Sequence, residues 1–306
     1  LSSRSHPDAA QRFSAENADS AGAHWDVEDL ELVRDRCVKA GLKVVAIENP
    51  VPACCYDKIM LGQPGRDQQI ENIIVTIRNM GRADIPVYGY SWMGNPPDVA
   101  RFSWRTSLSV PGRAGAQVSC FDVDVARKEA LFRGREYSRE EMWDNYAYFI
   151  KAILPDAEAA GVRLALHPDD PPVDSLGGVP RLFNSPEGFQ RAMDIAGNSP
   201  ASGLNFCLGN WTAMGTDISA AIRQFGQRDQ IVYGHVQGVQ GTVPKFQESF
   251  LEEADCDFHT VLCTLRQVGF DGVLLPGHSP HTLYENEVGG LGFVYAVGYV
   301  KGLLNT

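Results

Sequence analysis

No stretch of this sequence approaches the ~18 to 20 consecutive apolar residues of a membrane-spanning helix. Its N-terminal stretch, LSSRSHPDAAQRFSAENADS, has no apolar core of the kind a secretory leader carries. The expectation from both absences is a soluble, cytoplasmic protein. Basic residues are the scarcer charge: 27 Lys and Arg face 38 Asp and Glu, leaving a formal net charge of -11 and a pI near 5.1. Nucleic acid is thereby excluded as an expected partner, because binding a polyanion needs Lys and Arg clustered against its phosphates. A small anionic molecule stays open as substrate, since a few local arginines suffice for it. Cysteine lacks a framework too: the seven residues are odd in number and irregular in spacing, so disulfides are not expected to hold the fold.

What is present is a large apolar fraction, 44% of 306 residues, enough for one sizeable core. From about residue 25, helical and strand patterns alternate. WDVEDLELVRDRCVKAG sets Leu30, Val33 and Cys37 on one helical face, and KVVAIE follows as a short apolar strand. The pairing recurs in QIENIIVTIRNMG with PVYGYSW, EEMWDNYAYFIKAILPDAEAAG with RLALH, SPEGFQRAMDIAG with GLNFC, DISAAIRQFG with IVYGHV, and FHTVLCTLRQVG with GVLLP. Short, continuous apolar runs suit strands buried on both faces of a parallel sheet. Gly41, Gly81, Gly161 and Gly269 read as helix ends.

The fold class expected is α/β, of the (β/α)8 TIM-barrel type, with six strands recognisable and a closing helix around LGFVYAVGYVKGLL. Residues 1–24 read as an irregular N-terminal segment and residues 25–306 as the TIM-barrel catalytic domain. A closed barrel needs eight strands, so the expectation is a chain lacking the N-terminal βαβ segment of such a barrel. An unpaired barrel edge would encourage assembly into a homo-oligomer. Long loops are expected over roughly residues 93–135 and after His235, and loops of that length in a compact domain tend to carry function.

Metal-ligand side chains stand at the ends of successive strands: His167 in LALHPDDPP, Cys207 in GLNFCLGN and His235 in IVYGHVQG. Imidazole and thiolate are good donors for Mn, Fe, Co or Zn, and a β/α barrel builds its active site at the C-terminal ends of its strands. Each of the three alone reads as a buried or hydrogen-bonded residue. Together, at equivalent positions, they read as a metal site. A fourth run, GVLLPGHSP, ends in Gly277 and His278. His278, with an ordinary pKa of about 6.5, is the leading general acid or base. Tyr284, His281 and Tyr295 are weaker candidates nearby, Tyr295 reading more readily as packing of the last helix. Asp169 and Asp170 lie in a proline-braced turn, as acid/base, ligand-orienting or substrate-binding groups, or as nothing more than a rigid acidic turn. Glu48, ending the first strand, is a candidate ligand or substrate contact. Arg105 and Arg113, in the first long loop with Trp104, are candidate substrate contacts, although each arginine alone reads as a solvated charge.

With these residues in place, the chain resembles the mannonate dehydratase (UxuA-type) family of xylose-isomerase-like TIM barrels, as a divergent member. The resemblance runs from about residue 25 to 306. Its most specific parts are LHPDDPP, NFCLGN and the IRQFG…GHVQGVQGT segment, joined by DKIMLGQPGRDQQIENIIVTIRNMG and YAVGYVKGLL. The resemblance implies a hydro-lyase that converts D-mannonate to 2-keto-3-deoxy-D-gluconate with a divalent metal, usually Mn(II). It implies His167, Cys207 and His235 as metal ligands, a fourth ligand from an Asp where this chain has Gly277, and His278 as the catalytic histidine. It also implies an arginine for the substrate's carboxylate where this chain has Gln237. Those two departures leave three readings open: a metal-dependent lyase on a sugar acid or related substrate, a metal-dependent sugar isomerase or epimerase, and an inactive relative that binds a ligand.

Overall fold

A computed structural model describes residues 12–18, 20–95, 104–283 and 290–305. Six parallel strands form one sheet in the order β1, β2, β5, β8, β9, β12. These are β1 (Ile47–Glu48), β2 (Val87–Ser91), β5 (Arg163–His167), β8 (Ser202–Cys207), β9 (Ile231–Val236) and β12 (Leu274–Pro276). Each corresponds to one of the apolar runs read from the sequence, although KVVAIE pairs only through its last two residues. Ahead of β1 stands α1 (Val27–Lys39), and between the strands run α2 (Arg66–Arg82), α3 (Arg139–Ala160), α4 (Pro186–Ile195), α5 (Leu208–Ala213), α6 (Ile218–Gly226) and α7 (Phe258–Gln267), with α8 (Leu291–Leu304) last. No helix among the described residues is long and apolar enough to cross a membrane.

The helices begin where the sequence supplies acceptors for their free N–H groups. Ser138, Ser185, Asp217 and Asp257 each accept from a backbone N–H in the first turn of α3, α4, α6 and α7. Gly161 closes α3 in the left-handed conformation, at φ 66°. Gly81 does not close a helix. It lies inside α2, where an added Cβ would sit 2.5 Å from the Ala160 carbonyl oxygen, so glycine there lets the backbone of α2 approach the backbone at the end of α3.

Period-two alternation sorts the two faces of the parallel sheet. Leu164, Leu166, Leu204 and Phe206 face the main core with the helices, whereas Ala165 and Tyr233 belong to a small cluster apart from it. His167, Cys207 and His235 follow Ala165, Asn205 and Tyr233 by two residues and so share that second face. Directly after Cys207, α5 is buried at every position, and Trp211 stacks on Phe206 with ring centroids 4.6 Å apart and planes 7° from parallel.

The segments read as long loops hold structure of their own. A four-stranded antiparallel sheet runs in the order β10 (Gly238–Thr242), β11 (Lys245–Ser249), β4 (Gln117–Asp122), β3 (Ser107–Pro111). Phe121 and Phe246 stack in a second core beneath it. A short hairpin, β6 (Ser175–Leu176) with β7 (Val179–Pro180), follows the proline-braced turn. Before α1, Phe13, Ala18, Ala23 and Trp25 bury into the main core.

Because Trp211 is fully buried among Phe206, Phe189 and Phe225, Trp211→Ala is expected to cost about 3–5 kcal/mol of stability. Urea unfolding followed by circular dichroism checks this, and a loss below about 1 kcal/mol would contradict the packing described.

Candidate metal centre and active site

Strand register brings the three donors together. Cys207 and His235 are Cα partners across β8 and β9, and β5 lies on the other side of β8. One ligand atom from each of His167, Cys207 and His235 lies within 4.8 Å of the others. His167 donates from Nδ1 to the Pro168 carbonyl at 2.7 Å, which leaves Nε2 free to ligate. On the His235 side, Nε2 stands 3.0 Å from Glu48 Oε2 and 3.2 Å from Asn205 Nδ2. Asn205 also donates to Glu48 and to the Tyr233 hydroxyl, at 3.2 and 3.0 Å.

The charges of this cluster are coupled. Burial alone would raise the Cys207 thiol, but hydrogen bonds from His167 and His235 outweigh it and hold Cys207 down to about 6. Burial works against charge on His235 as well, and its bonds to Cys207 and Glu48 prevail, lifting it to about 10. Glu48 is opposed by burial and still held down to about 2, chiefly by His235. A thiolate, a carboxylate and imidazoles this close are the donor set of a cation site: the protons they share can exchange for a divalent metal.

A second network adjoins the first. His278 Nδ1 donates to Glu248 Oε1 at 2.6 Å, and that bond lifts His278 above its ordinary value despite burial. The same Glu248 oxygen accepts from Arg105 Nη2 at 2.6 Å and from Gln237 Nε2 at 3.0 Å. Arg105 then reaches Asp170 through Nη1 at 2.5 Å. Burial opposes the Glu248 charge, and Arg105 with His278 brings it to about 2. A cavity of about 460 Å³ opens onto both networks, lined by Glu48, His167, Asp170, His235, Gln237 and His278, with Asn49, Ser91 and Trp104 alongside. The Trp104 ring meets the His278 ring edge-on, with centroids 5.5 Å apart.

Several residues sit elsewhere than the sequence reading expects. Arg105 does not face the cavity as a substrate contact, because it is 4% exposed and engaged with two carboxylates. Arg113 lies at the surface, paired with Glu252 and Glu253 and stacked on Phe250 at 4.4 Å. Asp169 is buried away from the cavity, where it accepts from the Phe183 N–H at 2.7 Å and pairs with the equally buried Arg181. Tyr295 stands half-exposed on α8 against Phe250, not packed into the core. His281 bridges Gln117 through its backbone. Tyr284 lies outside the described residues. The sequence reading missed Asn205, Tyr233 and Glu248. The first two carried a signal, since each precedes a ligand by two residues and shares its face. Glu248 is signalled only by the alternation of KFQES after a turn at Val243 and Pro244.

Comparison with known proteins follows the same lines. The sequence profile of the family described as D-mannonate dehydratase (UxuA) matches residues 12–131 and 124–306. A mannonate dehydratase of Streptococcus agalactiae serotype V is 31% identical over 313 residues, covering 92% of this chain and 87% of the relative. The crystal structure of mannonate dehydratase from Streptococcus suis serotype 2 superposes with a TM-score of 0.77 at 30% identity, covering 92% of this chain and 81% of that one. A xylose isomerase domain protein from Planctomyces limnophilus superposes at a TM-score of 0.58 and 14% identity, over 91% of this chain and 83% of that one, a likeness of TIM-barrel fold alone.

Removing the Arg105 guanidinium leaves Asp170 and Glu248 buried without their partner. Arg105→Met is therefore expected to lose about 3–5 kcal/mol in denaturant unfolding, whereas Arg113→Ala, losing exposed pairs, should shift stability by no more than about 1 kcal/mol. Equal effects would contradict the placement of the two arginines.

Proposed function

The chain belongs to the D-mannonate dehydratase (UxuA) family, and on that premise we propose that its cavity removes water from D-mannonate to give 2-keto-3-deoxy-D-gluconate, using a divalent metal, manganese foremost, held by His167, Cys207 and His235. The observation that carries this reading is the convergence of those three donors within 4.8 Å, at the ends of neighbouring strands of one sheet. Two imidazoles and a low-pKa thiolate fit a divalent ion. When bound, such an ion supplies positive charge against the charge that develops on the substrate's carboxylate as its α-proton leaves.

The chain's own residues supply the rest. Loss of water takes the proton from the carbon bearing the carboxylate and the hydroxyl from the next carbon, and the enol so formed becomes the 2-keto acid. His278 borders the cavity with Nδ1 tied to Glu248, so Nε2 is the nitrogen left to exchange a proton with substrate. Asp170 opens onto the same cavity, its carboxylate fixed by Arg105, as a second acid/base group. Glu48, Asn49 and Ser91 offer acceptors and a donor for substrate hydroxyls. Among the described residues no arginine or lysine lines the cavity, so histidines and the bound metal carry the positive charge that meets an acid sugar.

Incubation of the Mn(II)-loaded protein with D-mannonate and related sugar acids, assayed for 2-keto-3-deoxy acids, tests the reading. Product from D-mannonate is expected, with kcat lower by about 10²–10⁴ in His278→Gln. His167→Ala with His235→Ala should remove the bound metal. Metal content that does not differ between the native protein and this double variant would sink the metal site, and a metal-loaded protein inert on the whole panel would sink the dehydratase.

A further inference from the structure

We propose that the side-chain carbonyl oxygen of Gln237 is the fourth protein ligand of the metal centre. The inference rests on the reading of His167, Cys207 and His235 as a metal site and assigns one further coordination position, leaving others to substrate. Gln237 occupies the link between β9 and β10, two residues after His235, and is 2% exposed. Its Oε1 stands 3.7 Å from Cys207 Sγ. Donors on one tetrahedral ion such as zinc, at about 2.3 Å for sulfur and about 2.0–2.2 Å for oxygen, stand about 3.6 Å apart, so the oxygen that accepts from the Cys207 thiol is at the separation two ligands on such a metal would have.

The orientation of the amide is settled by its other end. Glu248 Oε1 already accepts from Arg105 Nη2 and from His278 Nδ1, each at 2.6 Å, and Gln237 Nε2 lies 3.0 Å from the same oxygen, where an amide NH2 donates and an amide oxygen would be repelled. The NH2 group therefore faces Glu248 and the carbonyl faces the thiolate. Amide oxygens are ordinary ligands of hard and borderline divalent cations, neutral where an aspartate would carry charge.

Two glycines hold the side chain in place. A Cβ added to Gly209 would come within 2.9 Å of Gln237 Cδ, 3.0 Å of Cγ and 3.1 Å of Cβ. One added to Gly277 would come within 3.1 Å of Oε1. The carboxamide thus lies in a slot between β12 and the start of α5 that exists because both walls lack a side chain. Gly277 has no left-handed backbone to account for it, and the space it leaves is bordered by Gln237 Oε1 and by His235 Cβ and Cγ.

The test uses the intact protein with Mn(II), titrated by the electron paramagnetic resonance signal of the free ion, and with Co(II), read by its visible absorption spectrum. Gln237→Leu removes the oxygen while Glu248 keeps Arg105 and His278 as partners, so the fold should survive. The expected result is a Kd for Mn(II) raised at least tenfold and an altered Co(II) spectrum. Gly209→Ala is the second variant: the nearest atoms its Cβ would meet are Gln237 Cδ, Cγ and Cβ, so it leaves every donor atom in the chain while displacing the Gln237 side chain, and it too should weaken binding at least tenfold. Native Kd and native Co(II) bands in both variants would overturn the role of Gln237 while leaving the three-residue site standing. A native protein that binds neither ion at His167, Cys207 and His235 would overturn both.

Discussion

Arg105 joins two sheets that share no strand. Its guanidinium reaches Asp170 in the turn after β5 and Glu248 in β11. The antiparallel sheet is thereby anchored over the strand ends of the parallel one. A buried ion network of this kind tolerates little play, because each charge left unpaired away from water is costly. Everything bonded to Glu248 inherits that rigidity, including the ring of His278 and the amide of Gln237. The ring of His278 and the amide beside Cys207 are thus positioned from one carboxylate, which lies outside the parallel sheet.

The two sides of the cavity divide the electrostatic work. On one side Glu48, His235, Cys207 and His167 share protons and favour cation binding. On the other, Glu248 holds His278 in a single orientation and keeps its cavity-facing nitrogen available. Gln237 separates them and touches both, its NH2 toward Glu248 and its oxygen toward Cys207. A neutral amide in that place couples the networks by hydrogen bonding and adds no further charge to a crowded site.

The sequence made the parallel sheet legible because its strands are continuous apolar runs with helices between them, and a strand end is where a ligand shows. It did not make the antiparallel sheet legible. β3, β4, β10 and β11 are half-buried and partly polar, and β11 pairs with β4 from far along the chain. The roles of Arg105 and Glu248 were hidden for the same reason, since the two residues stand 143 positions apart and meet only in the fold. Asp169 and Arg113 misled in opposite directions: one acidic residue of a conspicuous turn is consumed by buried Arg181, and one arginine of a long loop stays at the surface. Gly277 was read as the loss of a carboxylate. In the structure the position borders the Gln237 amide and His235.

The slot holding Gln237 also has a consequence for substitution. Positions 209, 237 and 277 come from three separate stretches of chain yet share one volume of space. A side chain at 209 would press on the carbons of the Gln237 side chain, and one at 277 on its oxygen and on His235 Cβ, so what fits at either position depends on residue 237. Substitutions at the three positions are therefore expected to act non-additively on stability, each changing the room left for the others.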